Sequence, residues 1–153
     1  MKIIVVGGGD CFEELNKKCL EINQKVGKKL LIMTGPRIDI NKFVSAGEIF
    51  IGVSRAALEA MSAEKPVIIA GNEGYLGVFG KDKLDKGIET NFCCRGLQMS
   101  DSENLEKDIV NLINDENKKN LGIYNREVVL KYYSVKKMTD DCELAYQEVL
   151  KKK

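Results

Sequence analysis

The residues best equipped for chemistry fall in one segment, Ser54-Arg55-Ala56-Ala57-Leu58-Glu59-Ala60-Met61. Glu59 is a charge set among Leu58, Ala60 and Met61, a costly place unless something pairs with it. Two partners satisfy it. A ribose diol would donate two hydroxyl hydrogens, and charge-assisted bonds of that kind are worth about 1.5–3 kcal/mol each. An i, i+4 ion pair with Arg55 would contribute about 0.3–0.5 kcal/mol on an exposed helix. Upstream, Gly7-Gly8-Gly9 either presents backbone N–H groups to a phosphate at a helix start or makes a tight strand-to-helix turn. The spacing is not the G-x-G-x-x-G dinucleotide fingerprint, because Phe12 holds the last glycine position and Glu21 lies too early to meet a ribose. The chain has no histidine, which excludes imidazole acid–base chemistry within it.

Composition narrows the partners. In 153 residues, 24 Lys and Arg stand against 23 Asp and Glu, so nothing in the charge argues for nucleic acid or an acidic membrane. At 44% hydrophobic residues and this length, one real core is feasible and two are not expected. The apolar start is too short to span a membrane, and Gly7 to Asp10 interrupts it too soon for a secretory signal. The five cysteines are odd in number and lack a C-x-x-C spacing, which argues against a disulfide framework or a zinc site. Cys19 and Cys142 fall on apolar helical stripes as small hydrophobes in a reducing cytoplasm.

These groups need elements to position them. Lys2 to Val6, Leu30 to Met33, Glu48 to Val53 and Val67 to Ala70 read as short buried strands, with Ile88 to Phe92 a weaker fifth. Asp10 is placed to cap a helix with Glu13 as its capping-box partner, and Gly27 to end it. A short helix is expected over Asp39 to Ser45 with Asp39 as cap, and another over Arg55 to Ala63. Gly71 to Gly80 reads as loop. Later helices carry Leu105, Ile109, Leu112 and Ile113, then Leu121, Tyr124, Val128 and Tyr132. Ser134 caps the last helix, whose stripe is Val135, Met138, Cys142, Ala145 and Val149. The expected fold is α/β: a single Rossmann-like domain, a parallel sheet flanked by helices, with a helical C-terminal segment. Ligands on such sheets bind beyond the carboxyl ends of the strands, here Gly7 to Asp10, Thr34 to Asp39, Gly52 to Arg55 and Gly71 to Gly77.

The block Ala57-Leu58-Glu59-Ala60-Met61-Ser62-Ala63-Glu64-Lys65-Pro66-Val67-Ile68 resembles the signature of GT-B glycosyltransferases, particularly family 4. Ile3 to Gly9 is similar to that family's glycine-ended strand, Gly47 to Ser54 to its next strand, and Tyr133-Ser134, Met138 and Tyr146 to its C-terminal helices. The resemblance spans residues 1–153 as the family's C-terminal, donor-binding domain, with the N-terminal acceptor domain absent from this chain. By this resemblance Glu59 holds the donor ribose, Arg37 and Ile38 meet the base, and Asn72, Glu73, Gly74 and Tyr75 approach the donor sugar and phosphates. Ser54 and Arg55 flank the same cleft, Arg55 as a phosphate partner, with Gly8 and Gly9 in the turn after the first strand. Ile51 stands where the family's E-x7-E motif has its first glutamate, and the family's phosphate-gripping Arg and Lys would fall before Met1.

The resemblance implies transfer of a sugar from a nucleoside diphosphate donor, of UDP type rather than GDP type, with no metal or other cofactor. Implied partners are the nucleotide sugar and an acceptor-binding half, either a missing N-terminal domain or a separate subunit at the inner face of the membrane. A homodimer through the C-terminal helix is the other partner expectation, and nucleic acid is not one. The rival from another class is a non-catalytic nucleotide-binding or assembly module of the same fold; a Rossmann-like enzyme domain for another nucleotide is a third.

Overall fold

Strand β1, Ile3–Val5, pairs in parallel with β2, Leu31–Met33, in the computed structural model, which describes residues 1–151. Helix α1, Phe12–Val26, joins them. The chain forms two compact units, Met1–Phe43 and Val44–Lys153. In the first, α1 begins after Cys11 with no side-chain cap, so Asp10 and Glu13 do not form the expected capping box; the Phe12 N–H instead donates to the Gly9 carbonyl at 3.0 Å. Gly27 ends the helix in the left-handed conformation, as its position predicts. Asn23 then ties helix to strand: its Oδ1 accepts from the Leu30 and Leu31 N–H groups and its Nδ2 donates to the Leu31 carbonyl, each at 2.8 Å. Helix α2, Ile40–Ala46, starts one residue after Asp39, whose carboxylate is bound by Arg37 rather than capping the helix.

The second unit holds the core. Strand β3, Phe50–Gly52, runs parallel to β4, Val67–Gly71, through helix α3, Ser54–Ser62. Val67, Ile68 and Ile69 are fully buried, as an apolar run flanked on both sides of a sheet must be. Against them α3 turns Ala57, Ala60 and Met61, also fully buried, and the two small side chains allow close approach. The segment expected as a loop over Gly71 to Gly80 is in part a strand: β5, Gly74–Val78, returns antiparallel to β4 around the two-residue turn Asn72-Glu73. Its glycines look like loop in the sequence because they leave room for other parts of the chain. A Cβ on Gly77 would lie 2.6 Å from the Asp108 carboxylate, and one on Gly74 would lie 2.2 Å from the Cys94 carbonyl oxygen.

The weak strand expected over Ile88 to Phe92 is absent; a single 3-10 turn, Lys81–Lys83, leads into helix α4, Leu84–Glu89. Gly87 on that helix lets Phe79 and Phe92 close in, and those two rings meet edge to face with centroids 5.1 Å apart. Phe92 packs in turn on Tyr133 at 5.7 Å. Helix α5, Ser102–Asn114, is capped by Asp101, whose Oδ1 accepts from the Asn104 N–H at 2.8 Å. Helix α6, Lys118–Tyr132, docks on the turn between α3 and β4. Glu64 in that turn has φ +58°, and its carbonyl sits where a Cβ on Gly122 would be. Helix α7, Val135–Lys151, is capped by Ser134 as expected, its Oγ accepting from Lys137 N–H at 3.2 Å. None of its residues is buried, and Val135, Met138, Cys142, Ala145 and Val149 all face solvent.

The fold is thus mixed α/β, but the single parallel sheet read from the sequence is two short sheets, β1–β2 parallel and β3–β4–β5 mixed. The expectation of one core holds among the described residues, since the buried apolar residues all lie between Ala57 and Val128. No helix among the described residues is long and apolar enough to cross a membrane.

Gly122 gives a sign test of the α6 docking. In an exposed helix Gly→Ala stabilises by about 1 kcal/mol. Here the new Cβ would stand 2.0 Å from the Glu64 carbonyl oxygen. Urea denaturation of Gly122→Ala should therefore show a loss of about 1–3 kcal/mol, the usual range for overpacking.

Candidate functional site

In the second unit the candidate residues gather at the carboxyl ends of the parallel pair, β3 ending at Gly52 and β4 at Gly71. The step from β3 into α3 breaks two local rules. Val53 takes the capping position in extended conformation and offers no side-chain oxygen to the helix. Ser54 follows at φ +56°, a left-handed conformation that costs a non-glycine residue about 1–3 kcal/mol unless its surroundings hold it. What holds it is the Ser54 N–H, which donates to the Phe92 carbonyl at 2.8 Å. Arg55 then places a cation in the first turn of a helix that has no acidic residue there, the unfavourable sign for the helix dipole.

Glu59 lies one turn further on and is exposed, as Arg55 is. This corrects the picture of a carboxylate embedded in apolar surroundings. Ala60 and Met61 adjoin it in sequence, but the helix turns them to the core and Glu59 to water. Neither the ion pair with Arg55 nor any other side-chain hydrogen bond of Glu59 occurs among the described residues. Both groups stand free.

The stretch Asn72 to Tyr75 differs from the open glycine loop expected there. Asn72 and Glu73 form the hairpin turn, and Glu73 accepts from Arg95 Nη2 at 3.0 Å. That carboxylate raises the Arg95 guanidinium above its ordinary value, chiefly through the hydrogen bond. Gly74 is closed off by the Cys94 carbonyl, and the Tyr75 N–H donates to the Gln98 carbonyl at 2.7 Å. The Tyr75 hydroxyl donates to Asp108 Oδ2 at 2.6 Å, and the same oxygen accepts the Val78 N–H at 3.1 Å. Ser100 Oγ closes the turn at 2.7 Å from the Gly71 carbonyl and 2.9 Å from that of Gly74. Gly74 and Tyr75 therefore serve their own fold, with amide and hydroxyl already engaged.

The first unit holds the other candidates. Gly7, Gly8, Gly9, Asp10 and Phe12 line a concavity of about 360 Å³ at the end of β1 and the start of α1. Gly7 at φ +145° and Gly9 at φ +126° need glycine for their backbone, and a Cβ on either would meet nothing within 4 Å. Gly8 is excluded from bearing a side chain by Pro36, whose Cγ would lie 2.8 Å away. Arg37 is not free: its Nε and Nη2 each donate to Asp39 at 2.8 Å, and its guanidinium carbon lies 5.2 Å from the Phe43 ring centre. The pairing holds the Asp39 carboxyl below its usual range and raises Arg37, the hydrogen bond being the main cause of each shift. Ile38 is fully exposed.

Several working residues escaped the sequence reading. Asn23, Asp108 and Arg95 make long-range bonds that no periodicity marks. Asn125, fully buried, donates from Nδ2 to the Lys65 carbonyl at 2.9 Å while its Oδ1 has no protein partner. A second concavity, about 390 Å³, lies on α6 between Lys81, Asn117, Leu121, Tyr124 and Glu127, and includes none of the candidate residues. Among the described residues no group of acidic residues or cysteines is arranged to hold a metal ion.

The Tyr75–Asp108 bond makes a testable link. Burial first, and then the Asp108 carboxylate, push the Tyr75 hydroxyl up from its ordinary value near 10. A group whose pKa is raised on folding stabilises the fold below its unfolded pKa, and that stability is lost as pH climbs towards the folded one. Urea midpoints measured from pH 8 to 11 should fall above about pH 10. Tyr75→Phe should flatten that fall and cost about 1–2 kcal/mol at pH 7. Tyr124 and Tyr133, also raised by burial, should leave a residual slope.

Compared with models of known protein families, with curated proteins and with solved structures, the chain matches none.

Proposed function

We propose that this chain is the donor-binding half of a glycosyltransferase, a Rossmann-like domain that takes a nucleoside diphosphate sugar for transfer to an acceptor held by another domain or subunit. The observation that carries the reading is the β3–α3 junction, where a left-handed Ser54, an arginine at a helix start and an exposed Glu59 occur within six residues. Local rules broken together are expected at functional sites, and here the Ser54 turn is held by the Phe92 carbonyl while no carboxylate of the described residues answers Arg55. A diphosphate beside Arg55 would neutralise the wrongly signed charge at the α3 start. A ribose diol donating to Glu59 would sit one turn along the same helix. Departure of a nucleoside diphosphate leaves negative charge on the phosphate oxygens, and fixed donors at a helix N-terminus oppose it.

Titration of the isotopically labelled chain with UDP-sugars and GDP-sugars tests this. The amides of 52–59 should shift, and Glu59→Ala should lower affinity by about tenfold or more with unchanged folding. If saturating donor moves no amide in that segment, donor binding is refuted.

One observation favours the assembly-module reading. Helix α7 exposes a stripe at heptad-like spacing, Val135, Met138, Cys142, Ala145 and Val149. Exposed apolar stripes mark contact surfaces. Under that reading sedimentation shows concentration-dependent association, abolished by Met138→Glu, and nucleotide binding is absent.

A further inference from the structure

We draw no further inference here: the strongest candidate, the concavity of about 390 Å³ on α6 beside Tyr124, joins the start of that helix to the carboxylates of Asp115 and Glu127, and nothing in the structure points to a ligand there.

Discussion

The second unit depends on the burial of one short strand. Val67, Ile68 and Ile69 of β4 lose all contact with water, and everything around them is shaped to make that possible. At roughly 1.5–3 kcal/mol for each fully buried side chain, these three residues supply a large share of what a small core can offer. Helix α3 reaches the strand because Ala57 and Ala60 carry no bulk. Helix α6 secures the turn behind it because Gly122 carries none either, and Asn125 binds the Lys65 carbonyl just before the strand begins. Phe79, Phe92 and Tyr133 complete the enclosure as a chain of edge-to-face rings. The same packing that hides β4 fixes where β3 hands over to α3, so the geometry of the candidate site follows from it.

Much of this was legible in the sequence, and the reasons are particular. An unbroken β-branched run after Pro66 can only be a buried strand, and the Ala-rich helix before it can only lie close. Helix ends marked by Gly27 and Ser134 were readable because each does its work with local atoms. What failed were elements decided at long range. Strand β5 looked like loop because its glycines serve Cys94 and Asp108, partners 20 and 31 residues further along for Gly74 and Gly77. Helix α4 looked like a weak strand because Phe92, its apolar neighbour, is buried through a left-handed turn rather than through alternation. Asp39 and Asp10 have the right identity for caps, but the first is taken by Arg37 and the second is displaced by a helix start one residue later.

The candidate site divides in the same way. Ser54, Arg55 and Glu59 could be singled out as candidates because they lie on one short helix whose spacing is visible. The sequence nonetheless misjudged the environment of Glu59, since adjacent residues in a helix face different directions. The path of Cys93-Cys94-Arg95-Gly96 was not legible because nothing in those residues announces a loop folded back on a helix start; only the Ser54–Phe92 hydrogen bond reveals it.

Comparison among the cations of the second unit sharpens the case for the β3–α3 junction. Lys65 donates to the Ser45 carbonyl, Lys83 to that of Val78, and Arg126 to that of Ser62 while facing Glu64. Each is spent on the fold. Arg55 is not, although it occupies the position where a cation is least welcome, and the residue before it is held in a conformation that serine avoids. Lys107 and Lys119 also lack a charged partner among the described residues, so what sets Arg55 apart is the left-handed residue before it. Under the proposed reading an anion at the start of α3 answers the arginine, while the Ser54 N–H stays with the Phe92 carbonyl.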